Sequence, residues 1–430
     1  MAEEYLVEIQ NEKLSFFTPA GEVKALNDVN ITLRPGEVLG IVGESGSGKS
    51  VTAYSLMGLT AHPGKLIGGT VHFNGHEVEK MSEKEIRKIR GNEVSIIFQD
   101  PMTSLNPVYT IGNQIMEVIM LHTGKNRQEA RARARELLEL VGINEPDKRL
   151  KQYPHELSGG MRQRIMIAIA LACEPKLLIA DEPTTALDVT IQAQILELMM
   201  ELKDKLGMAI IMITHDLGVV ASMCEYIAVM YAGRIVEYGT TDDIFYSPKH
   251  MYTKGLIRSI PRLDASEHTR LVPIEGSPVD MLNPPAGCPF GPRCEACMKI
   301  CLRENPPRTE FGKVHYTHCW LNQKEQVEAL AKAGQSVQAP AEAASPVMQA
   351  EAPKAEKKSR WLGRKKKKAS LETSPDELFD KKPAKAVLSE EEQLAEKLAI
   401  ARMNQAAKDA EELKARQAAV LEAEEIDENH

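Results

Sequence analysis

Residues 43 to 50 read GESGSGKS and follow directly on the apolar run VLGIV at 38 to 42, a pairing that admits few folds. The octapeptide fits G-x-x-x-x-G-K-[ST] at every fixed position. Gly43, Gly46 and Gly48 let the backbone curl so that successive N–H groups point inward at phosphate oxygens, with Glu44, Ser45 and Ser47 completing the cradle. A following helix would turn its positive N-terminal end to the same anion. Lys49 is placed to bridge the β- and γ-phosphates of a nucleotide, and the Ser50 hydroxyl to coordinate Mg²⁺.

Three further short apolar runs, VSIIF at 94 to 98, LLIA at 177 to 180 and AIIMIT at 209 to 214, read as strands buried on both faces. They alternate with helical stretches such as Arg127 to Leu140 and Arg162 to Ala172, which implies a mostly parallel sheet covered by helices. Ahead of them, Leu6 to Ile9, Lys13 to Phe17 and Val29 to Leu33, with a Pro-Ala-Gly turn at 19 to 21, suit a small antiparallel layer. From about 101 to 155 no buried-strand run occurs, so a helical insertion is expected there, bounded as a subdomain at about 160. The expected fold class is therefore α/β: a P-loop NTPase core with an antiparallel β-layer and a helical subdomain. It is followed by a small C-terminal Cys-rich segment and a disordered or helical tail.

The expected ATPase domain runs over 5–260, and prolines recur from Pro248 to Pro285 as a connection into a Cys-rich region, 261–323. After Gln323 the composition turns to Ala, Glu, Lys, Pro and Gln, giving a disordered basic linker over 324–388 and a charged helix over 389–425. KAEKKSRWLGRKKKK, from Lys354 to Lys368, is either a solvated charge run or a contact to an anionic membrane leaflet. No apolar run approaches the ~20 residues that span a bilayer, and the start MAEEYLVEIQ lacks the character of a signal peptide. The expectation is a cytosolic chain that reaches membranes by docking onto embedded proteins. A net charge of −8 argues against nucleic acid as a partner, because phosphate binding is driven by clustered Lys and Arg.

LLIADEP, residues 177 to 183, puts two carboxylates where an apolar strand ends. Asp181 suits a hold on Mg²⁺, and Glu182 the general base that polarises an attacking water. LSGGMRQR, residues 157 to 164, resembles the signature motif of ABC ATPases. The resemblance implies that Ser158, Gly159 and Gly160 close over the γ-phosphate of ATP held by a partner subunit. It further implies a Q-loop glutamine at Gln99 that contacts Mg²⁺ and water, a D-loop at Ala186, Leu187 and Asp188, and a switch histidine at His215. Phe16 falls where the family stacks an aromatic on adenine, with Phe17 as its rival. Every fixed element occurs in the family's order, and none is degenerate.

Five of the seven cysteines lie between Cys288 and Cys319. In a cytosolic protein that clustering points to a metal or cluster site. Cys288, Cys294, Cys301 and Cys319 are separated by five, six and seventeen residues, a spacing open to zinc or to a 4Fe-4S cluster, and Cys294 with Cys297 forms one C-x-x-C. Cys173 and Cys224 read as core residues. GCPFGPRC, with GSPVDMLNPPAGC, IFQDPMTSLNP and IFYSPKHMYTKGL, resembles the ATPase subunits of oligopeptide and dipeptide importers. That resemblance implies a 4Fe-4S cluster on Cys288, Cys294, Cys301 and Cys319, with Cys297 as an extra thiol. It also implies ATP hydrolysis coupled to peptide uptake at the cytoplasmic face of the membrane. The implied partners are a second related ATPase in a head-to-tail dimer, two transmembrane permeases and, indirectly, an extracytoplasmic peptide-binding protein. Nickel or glutathione import, and a soluble ABC ATPase outside transport, are the alternatives.

Overall fold

The computed structural model describes residues 5–185, 187–259 and 273–323. Ala186 and the expected linker and helix over 324–388 and 389–425 lie outside the described residues. Of the expected Cys-rich region, 261–272 does too. The strands are β1 Val7–Thr18, β2 Gly21–Leu33, β3 Val38–Val42, β4 Gly64–Phe73, β5 His76–Glu77 and β6 Val94–Ile97. They continue with β7 Leu177–Asp181, β8 Ala209–Thr214, β9 Tyr226–Tyr231, β10 Arg234–Thr240, β11 Thr309–Glu310 and β12 Tyr316–Thr317.

One sheet has the order β2-β1-β4-β5, and the other β11-β12-β10-β9-β3-β8-β7-β6. In the second, β9, β3, β8, β7 and β6 are mutually parallel, and the buried-strand runs of the sequence form its centre. Each of these central strands splits its side chains between two cores. Val38, Val42, Leu178, Ala180, Ile210 and Met212 face one, shared with the helices. Leu39, Ile41, Leu177, Ile179, Ile211 and Ile213 face the other, where Leu14 and Leu26 of the antiparallel sheet close it. Burial on both faces is why these strands are continuously apolar rather than alternating.

Sequence reading divides β1 into two short strands, whereas the structure has one strand of 12 residues carrying a bulge. Asn11 adopts φ 50°, its N–H goes to the Asn30 side chain at 2.9 Å, and the register against β2 shifts between Ile9 and Glu12. The polar QNE that looks like a break is this bulge. Between β6 and β7 there is no strand among the described residues. The chain instead forms the helices Pro101–Ser104, Ile111–Thr123, Arg127–Leu140, Pro146–Arg149 and Gly159–Ala170. Asn126 and Glu129 make a capping box at the start of the third of these.

The stretch from Pro248 to Pro285 is not merely a connection. It contains the helix Met251–Arg258, whose first turn is capped by the His250 imidazole. The Cys-rich region is also not an appendage, because β12 pairs with β10 and extends the main sheet by two short strands. Among the described residues no helix is long and apolar enough to cross a membrane.

Candidate functional site

Strand β3 runs straight into the phosphate loop. A Cβ on Gly43 would lie 2.2 Å from the Met230 carbonyl of β9, so only glycine lets the loop leave the sheet here. Gly48 takes φ 105° and caps the helix Lys49–Leu56, a conformation that L side chains rarely adopt. Lys49 folds back over the loop, its Nζ donating to the Gly43 and Glu44 carbonyls at 2.8 and 3.0 Å. Burial lowers the Lys49 pKa, opposed by the charges of Glu182, Asp181 and Glu44. The lysine is thus a desolvated cation waiting at an anion site.

Ser50 Oγ lies 3.0 Å from Asp181 Oδ1, and the Tyr54 hydroxyl donates to Asp181 Oδ2 at 2.9 Å. Burial raises the Asp181 pKa, against the hydrogen bonds from Tyr54 and Ser50 and the charge of Lys49. Two hard oxygens from opposite elements converging beside the phosphate cradle fit Mg²⁺, which takes few protein ligands and keeps waters and phosphates for the rest. Tyr54 was not legible as a site residue, since a tyrosine one turn into a helix carries no motif.

Glu182 follows β7 at φ 47°, the left-handed region, and its N–H is held by the Ile213 carbonyl at 2.9 Å. That turn carries the carboxylate away from Asp181. One oxygen, Oε2, collects three neighbours: Gln99 Nε2 at 3.0 Å, Thr185 Oγ1 at 3.1 Å and His215 Nδ1 at 3.3 Å. Gln99, Glu182 and His215, singled out from three separate strand ends, therefore meet at one atom, with Thr185 as a fourth participant that no motif marks. His215 is 66% exposed while Glu182 is 17% exposed, so the histidine stands at the open side of the group.

Ser158 caps the helix Gly159–Ala170, accepting from Met161 N at 3.4 Å. With Gly159, Gly160, Arg164, Leu187 and Asp188 it lines a cleft of about 580 Å³ that no phosphate-loop residue touches. Asp188 also caps the helix Val189–Leu206 through Ile191 N at 3.0 Å. The two aromatic candidates differ in exposure: Phe16 is half-buried against the core with Gly64 beneath its ring, and Phe17 is 46% exposed.

The cysteines are wound together by a run of tight turns. Cys288 N donates to the Cys301 carbonyl at 2.7 Å, Gly291 N to Cys288, Cys294 N to Gly291 and Cys297 N to Cys294. Burial pushes the thiols of Cys288 and Cys294 up to about 12 and that of Cys319 to about 11, with neighbouring cysteines adding to each. Among the described residues, however, no three His, Cys, Asp or Glu side chains are gathered as a single metal ion needs. The expected set Cys288, Cys294, Cys301 and Cys319 is therefore not brought together as ligands of one metal ion. Cys224 is buried in the core as expected, and Cys173 is half-buried beside it.

The phosphate loop and the Ser158–Gly160 helix N-terminus thus open onto different clefts, and the motif set is that of the ABC class. Residues 26–185 match the family model "ABC transporter", and residues 236–301 match "Oligopeptide/dipeptide transporter, C-terminal region". The oligopeptide transport ATP-binding protein OppD of Salmonella typhimurium is 55% identical over 315 residues, 73% of this chain and 93% of that protein. The dipeptide transport ATP-binding protein DppD of Bacillus subtilis is 51% identical over 328 residues, 76% of this chain and 98% of that one. A solved ATP-binding cassette, a dimer in a post-hydrolysis state with ADP and Pi, superposes with a TM-score of 0.50. It has 29% identity and covers 55% of this chain and 98% of its own. The chain belongs to the ABC transporter family of ATPases, in its oligopeptide and dipeptide branch.

Proposed function

We propose that this chain is the ATP-hydrolysing subunit that energises uptake of oligopeptides or dipeptides through an ABC importer, docked at the cytoplasmic face of the membrane. The observation that carries the catalytic part is the convergence of Gln99, Thr185 and His215 on one oxygen of Glu182, next to the Lys49, Ser50 and Asp181 cradle. The cargo rests on the names of the relatives and the match to the peptide-transporter C-terminal region.

The loop from Gly43 to Gly48 turns its amides to the phosphates, and Lys49 moves from the loop carbonyls to the β- and γ-oxygens as they arrive. Ser50 and Asp181, joined by Gln99, would hold Mg²⁺, and that ion would supply charge neutralisation at the phosphates. Glu182 takes the proton of the attacking water. Gln99 orients that water, and His215, at the open side, contacts the γ-phosphate. An aromatic of β1 stacks on adenine: Phe16 by its place in the motif order, Phe17 by its exposed face.

Ser158, Gly159, Gly160 and Asp188 complete the site of a second, related ATPase subunit, so each dimer has two shared pockets. Two membrane permeases dock on the helical subdomain, where Val108 and Tyr109 are 72% and 54% exposed. A peptide-binding protein outside the membrane delivers the cargo to them.

Cys288, Cys294, Cys301 and Cys319 are proposed to hold a 4Fe-4S cluster. Burial raises the pKa of the Cys288, Cys294 and Cys319 thiols, which favours a cationic centre that would stabilise their thiolates. Each cysteine of such a cluster binds its own iron, so the sulfurs stand further apart than around one zinc ion. Such a group would supply a redox-active, cross-linking centre, and no step of hydrolysis passes through it.

Uptake of labelled dipeptides and oligopeptides, set against nickel, in cells lacking this chain tests the cargo. We expect peptide uptake to fall to background and nickel uptake to be retained. Unchanged peptide uptake with no substitute transporter would sink the peptide reading.

A further inference from the structure

Glu44, the second residue of the phosphate loop, is occupied by a residue 249 positions away in the sequence. Arg293 Nη1 donates to Glu44 Oε2 at 2.6 Å and Nη2 to Oε1 at 3.1 Å, a two-point fork on a side chain that is only 6% exposed. The same guanidinium reaches further. Its Nε donates to the Glu275 carbonyl at 3.0 Å, Nη2 to the Ile274 carbonyl at 3.2 Å, and Nη1 to the Tyr231 hydroxyl at 3.4 Å. Glu44 N is meanwhile held by the Tyr252 hydroxyl at 2.9 Å, so both its backbone and its side chain are fixed by elements outside the loop.

These contacts sit at the nucleotide site. Pro273 and Ile274 line, with Gly43, Glu44 and His215, a cleft of about 370 Å³. One planar cation therefore ties the first turn of the phosphate loop to the neighbouring wall of that cleft. It does so from the short helix Gly291–Arg293, directly before Cys294. A buried, bidentate arginine is a rigid strut, because its donors are coplanar and it loses little freedom on engagement.

We propose that Arg293 is a positioning residue for nucleotide: its fork onto Glu44 fixes the entry of the phosphate loop and makes ATP affinity depend on the integrity of the Cys-rich region. The strut works through protein contacts alone and holds whatever the cysteines bind. It also gives the C-terminal region a mechanical route to the ATPase, since a shift of Cys294 moves the residue next to it.

The test is a double-mutant cycle on the full-length chain in its assembled transporter, using Arg293→Gln, Arg293→Lys, Glu44→Gln and the combined variants. Nucleotide affinity is read by equilibrium binding, KM and kcat by phosphate release, and folding by thermal melting. We expect Arg293→Gln to raise the ATP KM and Kd about tenfold with kcat within about twofold. Arg293→Lys should recover part of that, because one of two hydrogen bonds returns. Glu44→Gln/Arg293→Gln should be no worse than the more affected single variant, as befits one shared contact.

Unchanged KM and Kd in the folded variants would overturn the proposal. So would independent, multiplying effects of the two substitutions. A fall in kcat that tracks the loss of folded protein with KM unchanged would assign Arg293 to structure only. If Arg293→Gln does not fold, the cycle between Arg293→Lys and Glu44→Gln decides by the same criteria.

Discussion

Glu182 accepts two hydrogen bonds on one oxygen, with His215 Nδ1 at 3.3 Å from the same atom, and sits in a left-handed turn, a placement that costs about 1 kcal/mol or more and persists only where the surroundings enforce it. Replacement by Gln is nearly isosteric and removes the proposed base. We expect Glu182→Gln to slow phosphate release by roughly 10²- to 10⁴-fold while nucleotide binding, measured at equilibrium, changes little. Loss of binding in parallel would assign the residue to holding ATP instead. Glu12 makes a different kind of prediction. It is fully buried under the bulge of β1 with neither oxygen hydrogen-bonded, and burial pushes its pKa from 4.5 up to about 7, with Ser55 pulling the other way. The Ser55 hydroxyl is already committed to the Thr52 carbonyl at 2.8 Å, so we give burial the larger say. A raised folded-state pKa means the folded state binds the proton more tightly. Its contribution is full below about pH 4.5 and is lost as pH rises through 7, to a limit of about 3 kcal/mol. Glu12→Gln should therefore gain thermal stability over the parent progressively from pH 5 to pH 8. A pH-independent difference in melting temperature would refute this.

Among the elements, β10 is where the C-terminal region is fastened. Glu237, fully buried, accepts from Lys249 N at 2.6 Å and His250 N at 2.9 Å and meets His315 Nε2 at 2.9 Å. A single carboxylate thus joins β10, the helix Met251–Arg258 and the approach to β12. We expect Glu237→Ala to cost about 3 kcal/mol or more, since it orphans several buried donors, and to raise hydrogen exchange first in Lys249 to Arg258. Uniform exchange across the chain would contradict that local role. His250 is driven down to about 4 by burial, with Glu237 opposing. Its depressed pKa leaves stability intact above about 6.5 and erodes it as pH falls towards 4. At this scale the continuously apolar strands and the Arg127–Leu140 helix were legible, because a strand buried on both faces and a capped amphipathic helix each leave a periodic mark. The strands YIAVMY and RIVEYGT and the helix after Pro248 were passed over. The strands carry no motif, and the helix is stabilised by a histidine cap and by Glu237, neither of which is a local propensity.

For the whole molecule, the cleft holding Ser158 to Gly160 contains no phosphate-loop residue, and under the proposed function it is the half-site that a second subunit completes. The two glycines differ as test sites. A Cβ on Gly160 would meet Ile191 at 2.9 Å, while one on Gly159 has its nearest neighbour, in Leu187, at 3.7 Å. Gly159→Asp should accordingly fold, bind ATP within about twofold of the parent, and lose at least about 100-fold in hydrolysis by placing an anion where the partner's γ-phosphate docks. Retained hydrolysis would show that the cleft is not a half-site. The order of motifs along the chain was enough to determine the ABC class and to nominate the residues of a nucleotide site, because phosphate cradling and base catalysis demand particular groups at fixed spacing from strand ends. Only the tertiary structure decided that Gln99, Thr185 and His215 share one oxygen of Glu182, that Tyr54 braces Asp181, and that Arg293 reaches Glu44 across 249 residues. Those contacts join segments that are remote in sequence. Their partners are chosen by strand order and core packing, which no local pattern encodes.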